Sequence, residues 1–232
     1  MSLLNVKELN SYYGDSHILF DLDFHVEKNE VIALIGRNGA GKSTTLNSLI
    51  GLVKPRSGSI ILDGKEYLGQ APHVIARAGM QLVHEDRRIF GSLNVEDNII
   101  LAGLSEPKRW PLEKIYEIFP RLKERRLSSG TDLSGGEQQM LAIARALVRD
   151  PKLILLDEPF EGLAPVIVQD LVRVCRQLAD EGRTIILVEQ NIPATLNLAS
   201  RAYIVNNGHI VHEDSTASIK ANPSVLQRYL GV

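Results

Sequence analysis

Gly36-Arg37-Asn38-Gly39-Ala40-Gly41-Lys42-Ser43 carries the clearest chemistry in this chain of 232 residues. It fits G-x-x-x-x-G-K-[ST], a spacing whose residue types suit a phosphate. Gly36, Gly39 and Gly41 let the backbone curl with its N–H groups turned inward around phosphate oxygens. Lys42 supplies a mobile cation for the β- and γ-phosphates of a nucleotide, and Ser43 a hydroxyl ligand for Mg²⁺. A helix starting near Lys42 turns its positive end to the same anion. The nucleotide contacts expected from this segment run from Gly36 through Thr44. The plain alternative is a glycine-rich turn ahead of a lysine, but the apolar strand before it and the helix after it argue against that.

Leu153-Ile154-Leu155-Leu156-Asp157-Glu158 is an aliphatic run that ends in two acids. Unpaired charge at the end of a buried strand is costly, and a metal beside a triphosphate removes the cost. Asp157 is the expected metal residue, as in a Walker B strand. Glu158, one residue on, is the expected general base for an attacking water. Solvated acids at a strand end are the alternative. Leu133-Ser134-Gly135-Gly136-Glu137-Gln138 holds a third pattern. Ser134 and Glu137 make an S-x-x-E capping box, and the paired glycines suit a backbone that approaches a ligand closely. A helix start with a free hydroxyl offers a second phosphate site.

The elements that must hold these groups are legible in the apolar periodicity. Strands are predicted at residues 4–9 and 18–26, the latter from the alternation of Phe20, Leu22, Phe24 and Val26. A buried strand at 31–35 leads into the phosphate loop, and a helix at 42–50 leaves it. A strand at 59–62 precedes an Asp63-Gly64 turn. Helical spacing then takes over, at 95–104, 112–119 and 137–148. Strands return at 153–156, 184–188, 202–205 and 210–212, with helices at 166–178 and 192–199 and a helical tail at 223–230. The reading is a single α/β domain over residues 1–232: a P-loop core (1–85 and 150–232), an antiparallel β portion at its N-terminus, and an inserted α-helical subdomain at 86–149.

The chain resembles the ABC ATPases over essentially its whole length, with 133–138 similar to their signature motif. The resemblance implies head-to-tail pairing of two ATPase domains, each ATP gripped by one P-loop and the other subunit's signature. Ser134, Gly135, Gly136 and Glu137 would then serve a partner's ATP, with Ser134 and Gly136 at its γ-phosphate. Tyr13 matches the aromatic that stacks on adenine, with Tyr12 as the rival. The implied cofactors are ATP and Mg²⁺. The implied partners are a second ABC ATPase subunit, transmembrane permease subunits and, indirectly, a periplasmic or extracellular solute-binding protein. The pair is expected to be a heterodimer, with a homodimer also open.

Three positions depart from the family pattern. Glu85 stands where a glutamine is usual and is a further candidate for the metal. Gln190 stands where a histidine is usual and would assist Glu158. Ala164 replaces an aspartate. With Arg87-Arg88 and residues 162–165 and 188–191, these are similar to the LivF-type ATPases of branched-chain amino-acid uptake. Urea and amide importers of the same branch are the alternative. By the same resemblance a groove beside Arg87, Arg88, Ile89 and Phe90 receives the permease.

Composition limits the remaining classes. With 44% hydrophobic and 23% charged residues the chain reads as globular,. A net charge of −2 offers no field for a nucleic-acid partner,, which weighs against a non-transport ABC ATPase of DNA repair or translation. A regulatory module that binds ATP without hydrolysing it is countered by Glu158. The single cysteine, Cys175, suits a reducing compartment and a packing role,. No apolar run nears the ~20 residues of a membrane span, and no signal-peptide core opens the chain. Any membrane role must come through a partner, and the resemblance to ABC ATPases implies a peripheral position on the cytoplasmic face of the cell membrane.

Overall fold

The computed structural model describes residues 2–104 and 109–231. Strands β1 (Ser2–Tyr13) and β2 (Ser16–Glu27) form an antiparallel ribbon, followed by β3 (Val31–Ile35) and helix α1 (Lys42–Leu49). Next come β4 (Ser57–Leu62), β5 (Lys65–Glu66), α2 (Pro72–Ala78) and β6 (Met80–Val83). The helical part holds α3 (Val95–Gly103), α4 (Leu112–Ile118), α5 (Pro120–Glu124) and α6 (Gly135–Leu147). The chain then runs through β7 (Leu153–Asp157), α7 (Pro165–Asp180), β8 (Thr184–Glu189) and α8 (Ile192–Leu198). It closes with β9 (Arg201–Asn206), β10 (His209–Ser215), α9 (Thr216–Ala221) and α10 (Ser224–Leu230).

Among the described residues the strands make two sheets, ordered β2-β1-β4-β5 and β10-β9-β3-β8-β7-β6. The first is antiparallel. The second is parallel from β9 to β6, with β10 antiparallel at its edge. β3 is apolar at every position, and β7 and β8 are apolar except at their end residues, because both faces are covered,. In β3, Val31, Ala33 and Ile35 face a core shared with the helical part, while Ile32 and Leu34 face a core shared with the antiparallel sheet. β7 divides in the same way, with Ile154 and Leu156 on one side and Leu153 and Leu155 on the other. The expected α/β core, antiparallel portion and helical insertion are all present.

The first strand is longer than the alternation at 4–9 predicts. Register shifts flank Leu9, and Glu8 has φ 46°. These bulges break the period-two pattern and hide the second half of β1. Helix α2 went unpredicted because Ile75 is its only buried residue, which leaves no apolar stripe to detect. Edge strand β6 spans four residues and α9 spans six, too short for a period.

The parallel strands all deliver their C-terminal ends to one edge. Ile35 pairs with Glu189, Asp157 with Val188, and Val83 with Leu156. The loops that follow these four strands therefore open on one crevice, where ligands of open α/β sheets bind.

Candidate active site

The crevice is a cleft of about 400 Å³ lined by Tyr13, Asn38, Gly39, Gly41, Lys42, Ser43, Thr44, Glu85, Glu158, Glu161 and Gln190, with Ile18. Residues 36–44 wrap its floor. Gly36 lies against the core: a Cβ there would sit 2.4 Å from the Val205 carbonyl oxygen. Ala40 is buried, and its carbonyl accepts the Gly208 N–H at 2.8 Å. Gly208 belongs to the Asn207-Gly208 turn between β9 and β10, so a hairpin braces the phosphate loop from behind. Gly208 in turn accepts the Phe20 N–H at 3.0 Å, which ties β2 into the same brace. Arg37 stands outside the main cleft, on a neighbouring depression with Asn38, Gln190, Leu230 and Gly231.

Lys42 is buried and donates to the carbonyls of Gly36 (2.9 Å) and Arg37 (3.2 Å), with Glu158 Oε1 at 3.6 Å. Ser43 Oγ donates to Asp157 Oδ1 at 3.0 Å. Burial pushes the Asp157 carboxyl up to about 6; Glu158 and Glu85 add to the rise, against the Ser43 hydrogen bond and the Lys42 charge. A divalent cation would relieve that repulsion, and hydroxyl and carboxylate oxygens are the donors Mg²⁺ prefers. Among the described residues, no three His, Cys, Asp or Glu side chains are arranged to hold a metal by themselves. A metal here needs Ser43 and the oxygens of a bound phosphate to complete its shell.

Glu158 follows β7 in the left-handed region, at φ 45°, with its N–H on the Val188 carbonyl at 2.9 Å. Such a backbone costs about 1–3 kcal/mol at a non-glycine residue and gathers at functional sites. Gln190 Nε2 donates to Glu158 Oε2 at 2.5 Å, so the two expected partners meet. Glu85 joins them through Glu161. The hydrogen bond with Glu158 pushes the Glu161 carboxyl up to about 7, with burial and the Glu158 and Glu85 charges adding to it.

Tyr13 lines the cleft and is 51% exposed. Its rival Tyr12 is engaged elsewhere, sandwiched between the Arg56 guanidinium at 3.9 Å and the His17 ring at 4.0 Å. Arg56 also donates to the Gly14 carbonyl at 2.6 Å, holding the turn beside the free ring.

The signature residues stand apart, and none lines the cleft. Ser134 caps α6 in the expected box: Glu137 N–H donates to Ser134 Oγ at 3.3 Å, and Glu137 Oε2 accepts from Ser134 N–H and Oγ at 2.8 Å each. The hydroxyl expected to be free is therefore engaged by Glu137. Burial alone would raise the Glu137 carboxyl, but Ser134, Arg125 and Arg121 hold it below its usual range. The two glycines differ. Gly136 is buried, and a Cβ there would lie 2.6 Å from Ile167 Cγ2, so close packing of α6 on α7 also requires a glycine there. Gly135 is the more open, since a Cβ there would first meet the Arg87 guanidinium, at 3.4 Å.

Beside the cleft, Arg87, Arg88, His84, Arg145 and Arg149 line a groove of about 310 Å³ between the core and the helical part. Phe90 is 44% exposed with Arg145 over its ring at 4.6 Å, so it is not tucked into the core. Buried Asn98 fixes its backbone, accepting the Phe90 N–H and donating to the Phe90 carbonyl, each at 2.9 Å.

Two acids, Glu161 in the cleft and Glu189 buried behind it, were missed in the sequence. Glu161 gave no signal beyond lying four residues after Asp157. Glu189 sits between an expected strand and Gln190, and at 3% exposure it reads as a mere strand end.

Residues 19–161 match the family model described as ABC transporter. The chain is 46% identical to the high-affinity branched-chain amino acid transport ATP-binding protein BraG of Pseudomonas aeruginosa, over 99% of this chain and 100% of that one. It is 35% identical to the lipopolysaccharide export system ATP-binding protein LptB of Escherichia coli, over 100% and 98%. Its structure is similar to the ADP conformation of MJ1267, an ATP-binding cassette of an ABC transporter, with a TM-score of 0.87 and 26% identity over the whole of both chains.

Proposed function

The chain belongs to the ABC transporter family as an ATP-hydrolysing subunit, and from that premise we propose that it drives the uptake of branched-chain amino acids. The observation that carries this reading is the 46% identity, across nearly the whole chain, to a branched-chain amino acid transport ATP-binding protein.

ATP lies with adenine on Tyr13 and its phosphates in the curl of residues 36–44. Lys42 leaves its two carbonyl partners for the β- and γ-phosphates. Ser43 and Asp157, with Glu85 nearby, would hold Mg²⁺, which would supply positive charge against the phosphate oxygens. Glu158 accepts a proton from a water that attacks the γ-phosphorus in line, and the bond to ADP breaks. The Gln190 amide, already on Glu158, orients that carboxylate and the water. It cannot become cationic, so unlike a histidine it can bring no positive charge to the transferring phosphate. With Glu85 adding an anion, this site turns over slowly on its own. The 232 residues act as one domain, paired head to tail with a second, related ATPase subunit. Ser134, Gly135, Gly136 and Glu137 then complete the partner's site, once Ser134 Oγ turns from Glu137 to the incoming γ-phosphate. The arginine groove receives the permease on the cytoplasmic face of the membrane. In support, no helix of the described residues is long and apolar enough to cross one.

The test is uptake of labelled leucine, isoleucine and valine in cells lacking this chain, restored by the wild type and not by Glu158→Gln. Restoration of urea or amide uptake instead moves the substrate to that class; unimpaired uptake of all of them without the chain refutes the reading.

A further inference from the structure

The Glu189 carboxylate is 3% exposed and lies at the end of β8, one residue before Gln190. Its two oxygens do different work. Oε2 accepts the N–H groups of Gln190 and Asn191, both at 3.0 Å, and so shapes the loop that carries the Gln190 amide. Oε1 crosses to the neighbouring strand's loop and accepts the Phe160 N–H at 2.8 Å. Phe160 lies two residues after Glu158, in the turn where the Glu161 N–H returns to the Glu158 carbonyl at 3.2 Å. One buried side chain thus joins the loop of the general base to the loop of its amide partner, behind the 2.5 Å contact between Gln190 and Glu158. Nothing in strand pairing requires this, since β7 and β8 are already in register through Asp157 and Val188. Burying a carboxylate is costly, and a shorter polar residue would cap the Gln190 loop alone. Only a side chain of this length and with two acceptors reaches both loops.

We propose that Glu189 is a positioning residue for hydrolysis, which sets the distance and angle between Glu158 and Gln190 by holding Phe160, Gln190 and Asn191 on one carboxylate. The proposal rests on the roles assigned above to Glu158 and Gln190. Glu189 touches neither nucleotide nor water; it acts through those two. In Glu189→Gln one acceptor becomes an N–H₂ that must oppose a backbone N–H, so one loop is released while size is kept. Glu189→Asp keeps a carboxylate oxygen for Gln190 and Asn191 but withdraws the other from Phe160, and it protects the test should the glutamine variant not fold.

The experiment uses the purified full chain. Steady-state hydrolysis of Mg-ATP gives kcat and KM, and amide hydrogen exchange without nucleotide follows Phe160, Gln190 and Asn191. Both variants are expected to lose about tenfold to a hundredfold in kcat, the scale of a misplaced catalytic group. KM for ATP stays within about twofold, and exchange at Phe160 quickens. The Glu189→Gln loss should shrink in a Gln190→Ala background, because the two changes then disable one device. A folded Glu189 variant with wild-type kcat, or one whose melting temperature falls while kcat holds, overturns the proposal in favour of a structural role. Wild-type kcat in Gln190→Ala and Glu158→Gln would instead remove the site assignment beneath it. Impaired Gln190 and Glu158 variants beside active Glu189 variants would remove this inference alone.

Discussion

Replacing Gly208 by alanine is expected to damage the phosphate loop from behind. Gly208 has φ 78°, and a Cβ there would lie 1.9 Å from the Ile18 carbonyl oxygen and 2.9 Å from its carbon. No side-chain rotation relieves a clash with backbone, so the hairpin must retreat. Left-handed backbone costs alanine about 1–2 kcal/mol. Retreat also strains two hydrogen bonds, Gly208 N–H to Ala40 (2.8 Å) and Phe20 N–H to Gly208 (3.0 Å), each worth about 1 kcal/mol. The sum is about 3–4 kcal/mol. Gly64 is the matched control: its φ is 80° with nothing within 4 Å of a Cβ, so alanine there pays the backbone cost alone. The difference of about 2 kcal/mol corresponds to roughly 4–8 °C in melting temperature for a chain of this size. Urea titration and thermal melts of both variants measure it. KM for ATP should rise in Gly208→Ala only, because Ala40 is in the phosphate loop. Equal destabilisation in the two variants would refute the idea that the hairpin bears on that loop.

Other perturbations test the site and its frame. Glu158→Gln should lower kcat by about 10²–10⁴-fold, the worth of a general base, while nucleotide binding measured by equilibrium titration persists. Gln190→His combined with Glu85→Gln should raise hydrolysis by the purified chain; an unchanged rate would show that neither residue slows this site. Burial tends to raise the Glu30 carboxyl, but Arg201 hydrogen bonds at 3.0 and 2.9 Å and the Glu27 N–H outweigh it and hold Glu30 below its usual value. The sign follows: this stabilisation is complete above the unfolded glutamate pKa of about 4.3, and it is lost as pH falls through the lower folded value. The urea-midpoint gap between wild type and Glu30→Gln should therefore close below about pH 4, and a gap that stays constant would exclude the ion pair. Burial pushes the Cys175 thiol up to about 12, so an aromatic disulfide reagent at pH 8 should label it only as fast as the chain unfolds.

Much of the site was legible because it is contiguous in the chain. The curl at 36–43 and the acids at 157–158 each lie on one strand end, where spacing alone reports the chemistry. The buried strands were equally plain, since covering both faces of a parallel sheet leaves uninterrupted aliphatic runs. What escaped depends on contacts between distant segments. Glu161 and Glu85 are 76 positions apart in number, yet the Glu161 carboxyl interacts with Glu85 as well as with Glu158. Glu189 has a role only because β7 and β8 lie side by side. Tyr13 was preferred to its rival Tyr12 on the resemblance alone, and the sequence held no sign that Arg56 and His17 pack on the Tyr12 ring. The glycine pair at 135–136 suggested an approach by ligand, and the second demand on Gly136, the close contact with Ile167 on α7, left no trace in the sequence.

The order of strands in the larger sheet also governs when the site can exist. Strand β3, which carries the phosphate loop, has β8 and β9 as its neighbours, and both are made long after it. A nascent chain that has not yet delivered Thr184–Glu189 holds its phosphate loop on a strand without sheet partners. Parallel pairings of such large sequence separation are slow to form, and unpaired edges invite aggregation during synthesis at about 5–20 residues per second. The early strands must wait for the late ones, so the cleft is completed only once β8 and β9 have been made, and ATP can help to hold the fold only from that moment.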